Sequence, residues 1–178
     1  WQNIPFRYAV GIYMFNWSAV DMIAIIFPYF LLYWVAQGDL LAKINKARAA
    51  NGVGPIVLSK LESDKVSRPW TYKLAKSGVL AHNPSYASQT SAYVTKSWTR
   101  ITENVGYGPN LSTTFSAFMS SAPHRANILD RNVNWVGLGV VSSNGRFWIT
   151  MNFVRSPSNM LADADPFGAS KSVTRTSE

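Results

Sequence analysis

Two hydrophobic patterns divide this chain. From Trp17 to Ala36 nearly every residue is apolar, the exceptions being Ser18 and Asp21, and Tyr29, Tyr33 and Trp34 crowd the C-terminal end. A membrane-spanning helix needs about 20 apolar residues, and aromatic side chains commonly mark its ends. Asp21 would cost roughly 2.5–3.5 kcal/mol at the bilayer centre, although it lies near one end of the run. The uninterrupted stretch Met22–Ala36 is 15 residues long, between a signal-peptide core and a full span. No small-x-small cleavage pattern follows it. Two readings stay open: a membrane anchor or uncleaved signal through residues 17–36, or a hydrophobic extension of a soluble domain.

From Asp39 the period changes. Leu40, Leu41, Ile44, Ala47 and Arg48 follow helical spacing, with Asp39 as expected N-cap and Asn51-Gly52 as a left-handed stop. Pro55–Leu58 is a short apolar link. Ser59 opens a second helical region that reaches Ser77-Gly78; Pro69 should kink or split it, and Ser67 is the expected cap of its second half. Residues 83–102 are Ser/Thr-rich and read as irregular. Ser112-Thr113-Thr114 is expected to cap a short helix whose apolar face is Phe115, Phe118 and Met119. Residues 133–141 and 146–154 are β-rich runs flanking Ser142-Ser143-Asn144-Gly145, and Asn-Gly between two such runs is a strong hairpin signal. After Arg155 the apolar content falls and the tail reads as disordered. The expected organisation is a hydrophobic segment over 1–38, a domain over 39–155 and a tail over 156–178. Helices followed by an antiparallel hairpin indicate an α+β fold.

Composition narrows the chemistry. The chain of 178 residues has no cysteine, which removes disulfide frameworks, zinc fingers and thiol nucleophiles. Its formal net charge is +8, but the lysines and arginines fall singly along the sequence. Nucleic-acid readers cluster their cations, so no nucleic acid is expected. A solvated basic surface, or attraction to an anionic cell envelope, fits better.

Three polar residues stand at the edges of structured segments: His82 before Asn83-Pro84, Glu103, and His124 after Pro123. The chain has 2 histidines; spacing alone leaves a shared site as one option among several. Gly137 and Gly139 are expected to admit close backbone approach, Trp135 and Trp148 to fill core, and Asn104 and Asn127 to bond loop backbone. No Gly-x-Ser-x-Gly or Ser-x-x-Lys nucleophile element is present.

The strings around these residues resemble the CAP (SCP-like) superfamily of cysteine-rich secretory, antigen 5 and pathogenesis-related proteins. Leu41–Gly52 resembles its opening helix, Lys76–Asn83 its helix-ending histidine, and Glu103-Asn104-Val105-Gly106 its Glu-Asn-Ile/Leu signature. Ser120–Leu129 is similar to the bacterial form of its second histidine motif, and Val136–Val140 to its Val-Gly-x-Gly strand. The likeness covers about residues 39–154, with the motifs in the family's order.

That resemblance implies a three-layer α-β-α sandwich with an antiparallel sheet, and a central cleft holding His82, Glu103 and His124. A second glutamate of many eukaryotic members falls near Phe118–Ser121, where this chain has no acid. The missing cysteines fit a prokaryotic branch. The resemblance implies an extracellular or cell-surface protein. Two roles follow for the three residues. One is a binding module for an envelope component, a lipid or a peptide, with His82, Glu103 and His124 as ligand-binding residues. The other is a zinc-assisted hydrolase, with a divalent metal held by His82 and His124 and with Glu103 as ligand or base.

Overall fold

A computed structural model describes residues 4–30 and 34–157. The expected tail over 156–178 lies outside the described residues from 158 onward. Helix α1 runs Ile4–Phe30 and α2 runs Ala36–Ala50. Strand β1 is Val57–Leu58. A continuous helical rod follows, made of α3 (Lys60–Glu62), a π-helical turn (Ser63–Ser67) and α4 (Arg68–Ser77). Then come α5 (Tyr86–Tyr93), β2 (Arg100–Gly108), α6 (Leu111–Ser120), α7 (Ala122–Ile128), β3 (Trp135–Ser143) and β4 (Arg146–Arg155).

The strands form one sheet in the order β1-β3-β4-β2. β1 runs parallel to β3, and the β2–β4 and β3–β4 pairs are antiparallel. The expected hairpin is present: Asn144 and Gly145 both take positive φ, 52° and 70°, as a two-residue turn matched to strand twist requires. One face of the sheet packs Val136, Leu138, Met151 and Phe153 with Leu40 and Ile44 of α2 and Phe115 and Phe118 of α6. The α3–α4 rod and α5 cover the other face. Gly137 and Gly139 let the rod approach: a Cβ on Gly137 would overlap Glu62 Cγ and Ser67 Oγ, and one on Gly139 would overlap Thr71 Oγ1 and the Ser67 carbonyl. The result is the three-layer α-β-α sandwich expected from the sequence.

Several local expectations are corrected. Asp39 is not the cap of α2; the helix begins three residues earlier, and Asp39 lies in its first turn, 3.5 Å from Lys43 Nζ. Pro69 does not break the rod, because it sits in the first turn of α4, where its missing N–H is tolerated after a π-helical turn. Ser67 caps nothing; its Oγ bonds the Glu62 carbonyl at 3.3 Å. Helix α6 is capped by Asn110, whose Oδ1 accepts the Thr113 N–H at 2.9 Å, and not by Ser112–Thr114. Residues 83–102 are not irregular throughout, since they contain α5 and the start of β2.

Helix α1 departs from the rest. Its apolar side chains face outward: Tyr8, Ile12, Phe15, Trp17, Val20 and Ile23 are all exposed. Among the described residues no helix is both long and apolar enough to cross a membrane, so a span through 17–36 gains no support. Part of that span, residues 31–33, lies outside the described residues.

Candidate functional site

His82 follows α4. Gly78 ends that helix in the left-handed conformation, φ 69°, and Trp70 Nε1 donates to the Ala81 carbonyl at 3.0 Å, pinning the segment before the histidine. Glu103 points from β2 on the face covered by the rod. Its Oε1 lies 2.8 Å from His82 Nδ1 and accepts the Asn83 N–H at 2.9 Å. Its Oε2 accepts from Asn152 Nδ2 at 3.3 Å. The carboxylate is buried while the imidazole is 67% exposed. The sheet side therefore holds a fixed carboxyl group, and the solvent side presents the ring it orients.

His124 comes from α7, the helix opened by Pro123. Its Nδ1 lies 2.8 Å from Ser121 Oγ, one turn back, and Phe118 meets the ring edge-on at 5.2 Å. Two asparagines fasten α7 to β2. Asn104 Nδ2 donates to the His124 carbonyl at 3.0 Å, and Asn127 Nδ2 donates to the Glu103 carbonyl and to Asn104 Oδ1 at 3.2 and 2.8 Å. Their targets are strand and helix backbone, where loop backbone was expected. Burial lowers the His124 pKa, and the neighbouring His82 lowers it further, so the two imidazoles stand within electrostatic reach of each other. His82 and Glu103 touch directly; His124 has no hydrogen bond to either.

A second carboxyl stands behind Glu103. Gly137, Asn152 and Glu103 are neighbours in one row across β3, β4 and β2, and Glu62 lies over the Gly137 end of that row. Glu62 is completely buried. Thr90 Oγ1 donates to its Oε1 at 3.1 Å, while Oε2 has no partner. Burial raises its pKa from 4.5 to about 8, with the charge of Glu103 adding to the rise. At neutral pH the Glu62 side chain is therefore a neutral acid, able to donate through the oxygen that lacks a partner. Asn152 Oδ1 is a buried acceptor that also lacks one.

Sequence reasoning missed Glu62. Ser59-Lys60-Leu61-Glu62 has the spacing of a capping box, in which the glutamate serves only the helix start. Ser59 Oγ does accept the Glu62 N–H at 3.1 Å. The reciprocal half is absent because the Ser59 N–H donates to Val136 of β3, which leaves the carboxyl free to turn inward.

The donor set does not match the expected zinc site. Both Glu103 oxygens are engaged by His82, Asn83 and Asn152, and each imidazole is committed through Nδ1. Two Nε2 atoms remain, short of the three protein ligands of a catalytic zinc. Among the described residues no group of three His, Asp or Glu is placed to hold a metal ion.

The chain thus combines an α-β-α sandwich with a histidine oriented by a carboxyl of β2 and a second histidine on α7. Residues 41–153 match the cysteine-rich secretory protein (CAP) family, and the chain belongs to that family. Similar solved structures include an outer surface protein from Borrelia burgdorferi, at 13% identity and TM-score 0.62, covering 68% of this chain and 93% of that one. An extracellular protein containing an SCP domain from Bacillus anthracis shares 16% identity at TM-score 0.60, covering 67% of this chain and 40% of that one. A cysteine-rich secretory protein from Staphylococcus aureus shares 17% identity at TM-score 0.53, covering 66% of this chain and 38% of that one. The chain thus spans under half the length of the last two. A comparison with curated proteins finds no match.

Proposed function

We propose that this chain is an extracellular binding module acting at the cell envelope, with His82, Glu103 and His124 forming its recognition cleft. The observation that carries this reading is the tethering of both imidazoles. Each is held through Nδ1, His82 by Glu103 and His124 by Ser121, and each keeps its Nε2 for a ligand. Glu103 is the fixed part, immobilised by three hydrogen bonds, and His82 is the accessible part. Such an arrangement binds polar or acidic groups of a lipid or peptide by paired hydrogen bonds. The exposed aromatic side chains of α1 suit contact with the envelope surface, and the outer-surface and extracellular descriptions of the similar structures support that setting.

The test is co-sedimentation of the purified chain with isolated bacterial envelope fragments. Wild type sediments with the fragments, and His82→Ala/His124→Ala weakens the association about tenfold while melting at an unchanged temperature. Turnover of a p-nitrophenyl ester that disappears in the same variant would contradict the reading. So would stoichiometric zinc binding by wild type that the variant loses.

A further inference from the structure

The sequence scatters its cations singly, yet the fold gathers three of them at one end of the sheet. Arg100 opens β2, Arg155 ends β4, and the two are direct cross-strand partners. Like charges facing each other on one rung repel. Arg131, in the loop between α7 and β3, joins them: Thr99, Arg100, Arg131, Asn132 and Arg155 line one cleft of about 440 Å³. The loop is held from inside. Arg48, buried to 2% exposure, donates to the carbonyls of Ile128, Asp130 and Val133. Asp130 then divides its carboxylate between the Asn132 N–H and Arg100 Nε.

Three guanidinium groups against one carboxylate leave two positive charges unmatched. Among the described residues no carboxylate pairs with Arg131 or Arg155. An adjoining cleft shares both of these arginines and adds Pro55, Trp135 and Pro157 along an apolar wall.

We infer that this arginine cleft is a binding site for a dianionic phosphate group, with an apolar portion of the same ligand lying in the adjoining cleft. Guanidinium forks match the oxygens of phosphate in pairs. The two unmatched charges equal those of a phosphate monoester, and its arrival relieves the Arg100–Arg155 repulsion. The phosphate is either that of a free monoester or that of a lipid headgroup.

Two probes separate those sources: phenyl phosphate in solution, and phosphatidylcholine vesicles with and without phosphatidic acid. Each is measured by titration against wild type, Arg131→Ala, Arg131→Ala/Arg155→Ala and Lys76→Ala. Wild type binds at least one phosphate-bearing probe, more weakly as salt is raised. The double variant binds it at least about tenfold more weakly, and the exposed single change Arg131→Ala falls between. Binding to phenyl phosphate alone identifies a soluble monoester, and binding to phosphatidic acid vesicles alone identifies a headgroup. Lys76→Ala, an exposed cation in the last turn of α4 outside both clefts, binds like wild type, which separates this site from the basic surface at large. Equal binding by wild type and a folded double variant, or binding of neither probe, overturns the inference.

Discussion

Helix α1 and the α3–α4 rod invert each other's chemistry. In α1 the large apolar side chains lie in solvent, with Phe15 at 75% and Tyr8 at 71% exposure. In the rod Ser59, Glu62, Ser63, Ser67 and Thr71 are fully buried against the sheet. The rod tolerates its polar residues because most find a specific partner. Ser63 Oγ bonds the Ser59 carbonyl and accepts the Leu138 N–H, at 2.7 and 2.9 Å. Thr71 Oγ1 bonds the Ser67 carbonyl at 2.7 Å and lies 2.8 Å from Thr150 Oγ1. A buried polar group costs stability only when left without a partner. Hydropathy therefore locates α1 in the sequence but misjudges which of the two segments forms the interior. The unpartnered atoms Glu62 Oε2 and Asn152 Oδ1 lie at the candidate site.

Three changes break or sharpen this contrast. The largest effect belongs to Arg48→Met. It removes the bonds to Gly54, Ile128, Asp130 and Val133 and leaves buried carbonyls bare, costing about 3–5 kcal/mol in urea denaturation. A loss under about 1 kcal/mol would show that the buried polar groups are not structural.

Glu62→Gln comes next. The folded chain holds a proton on Glu62 up to about pH 8, whereas the unfolded chain releases it at the ordinary value near 4.5. The folded state thus binds the extra proton between those limits, and wild-type stability falls as pH rises through that window. The Gln variant lacks this slope. It matches wild type near pH 5 and exceeds it by roughly 4 kcal/mol at pH 9; parallel urea midpoints across pH 5–9 would refute the buried neutral acid. The smallest effect is that of Trp17→Ser in α1, within about 0.5 kcal/mol. A larger loss would mean that α1 contributes to the core.

The sequence made legible what local chemistry decides. Asn144-Gly145 announced the hairpin through its positive-φ demand, Asn51-Gly52 announced the end of α2, and the ordered motifs located His82, Glu103 and His124. It concealed what partners decide. β2 escaped notice because Glu103 and Asn104 interrupt its apolar pattern, and both are buried by hydrogen bonds to Asn83, His124 and Asn152 that only the folded chain supplies. Helix α5 escaped because Tyr86 and Thr90, its buried residues, anchor to the Phe153 carbonyl and Glu62 across the fold. Arg100, Arg131 and Arg155 are distant in sequence, and β pairing alone unites two of them.

The proposed recognition site requires His82 and His124 to lie close to one another. Their proximity is read most directly by following the His124 ring signals through a pH titration by NMR. The expected midpoint lies below the ordinary 6.5 and moves upward in His82→Ala, because removing the neighbouring imidazole removes its repulsion and admits water. An unchanged His124 midpoint in that variant would place the two histidines in separate surroundings and contradict the shared site.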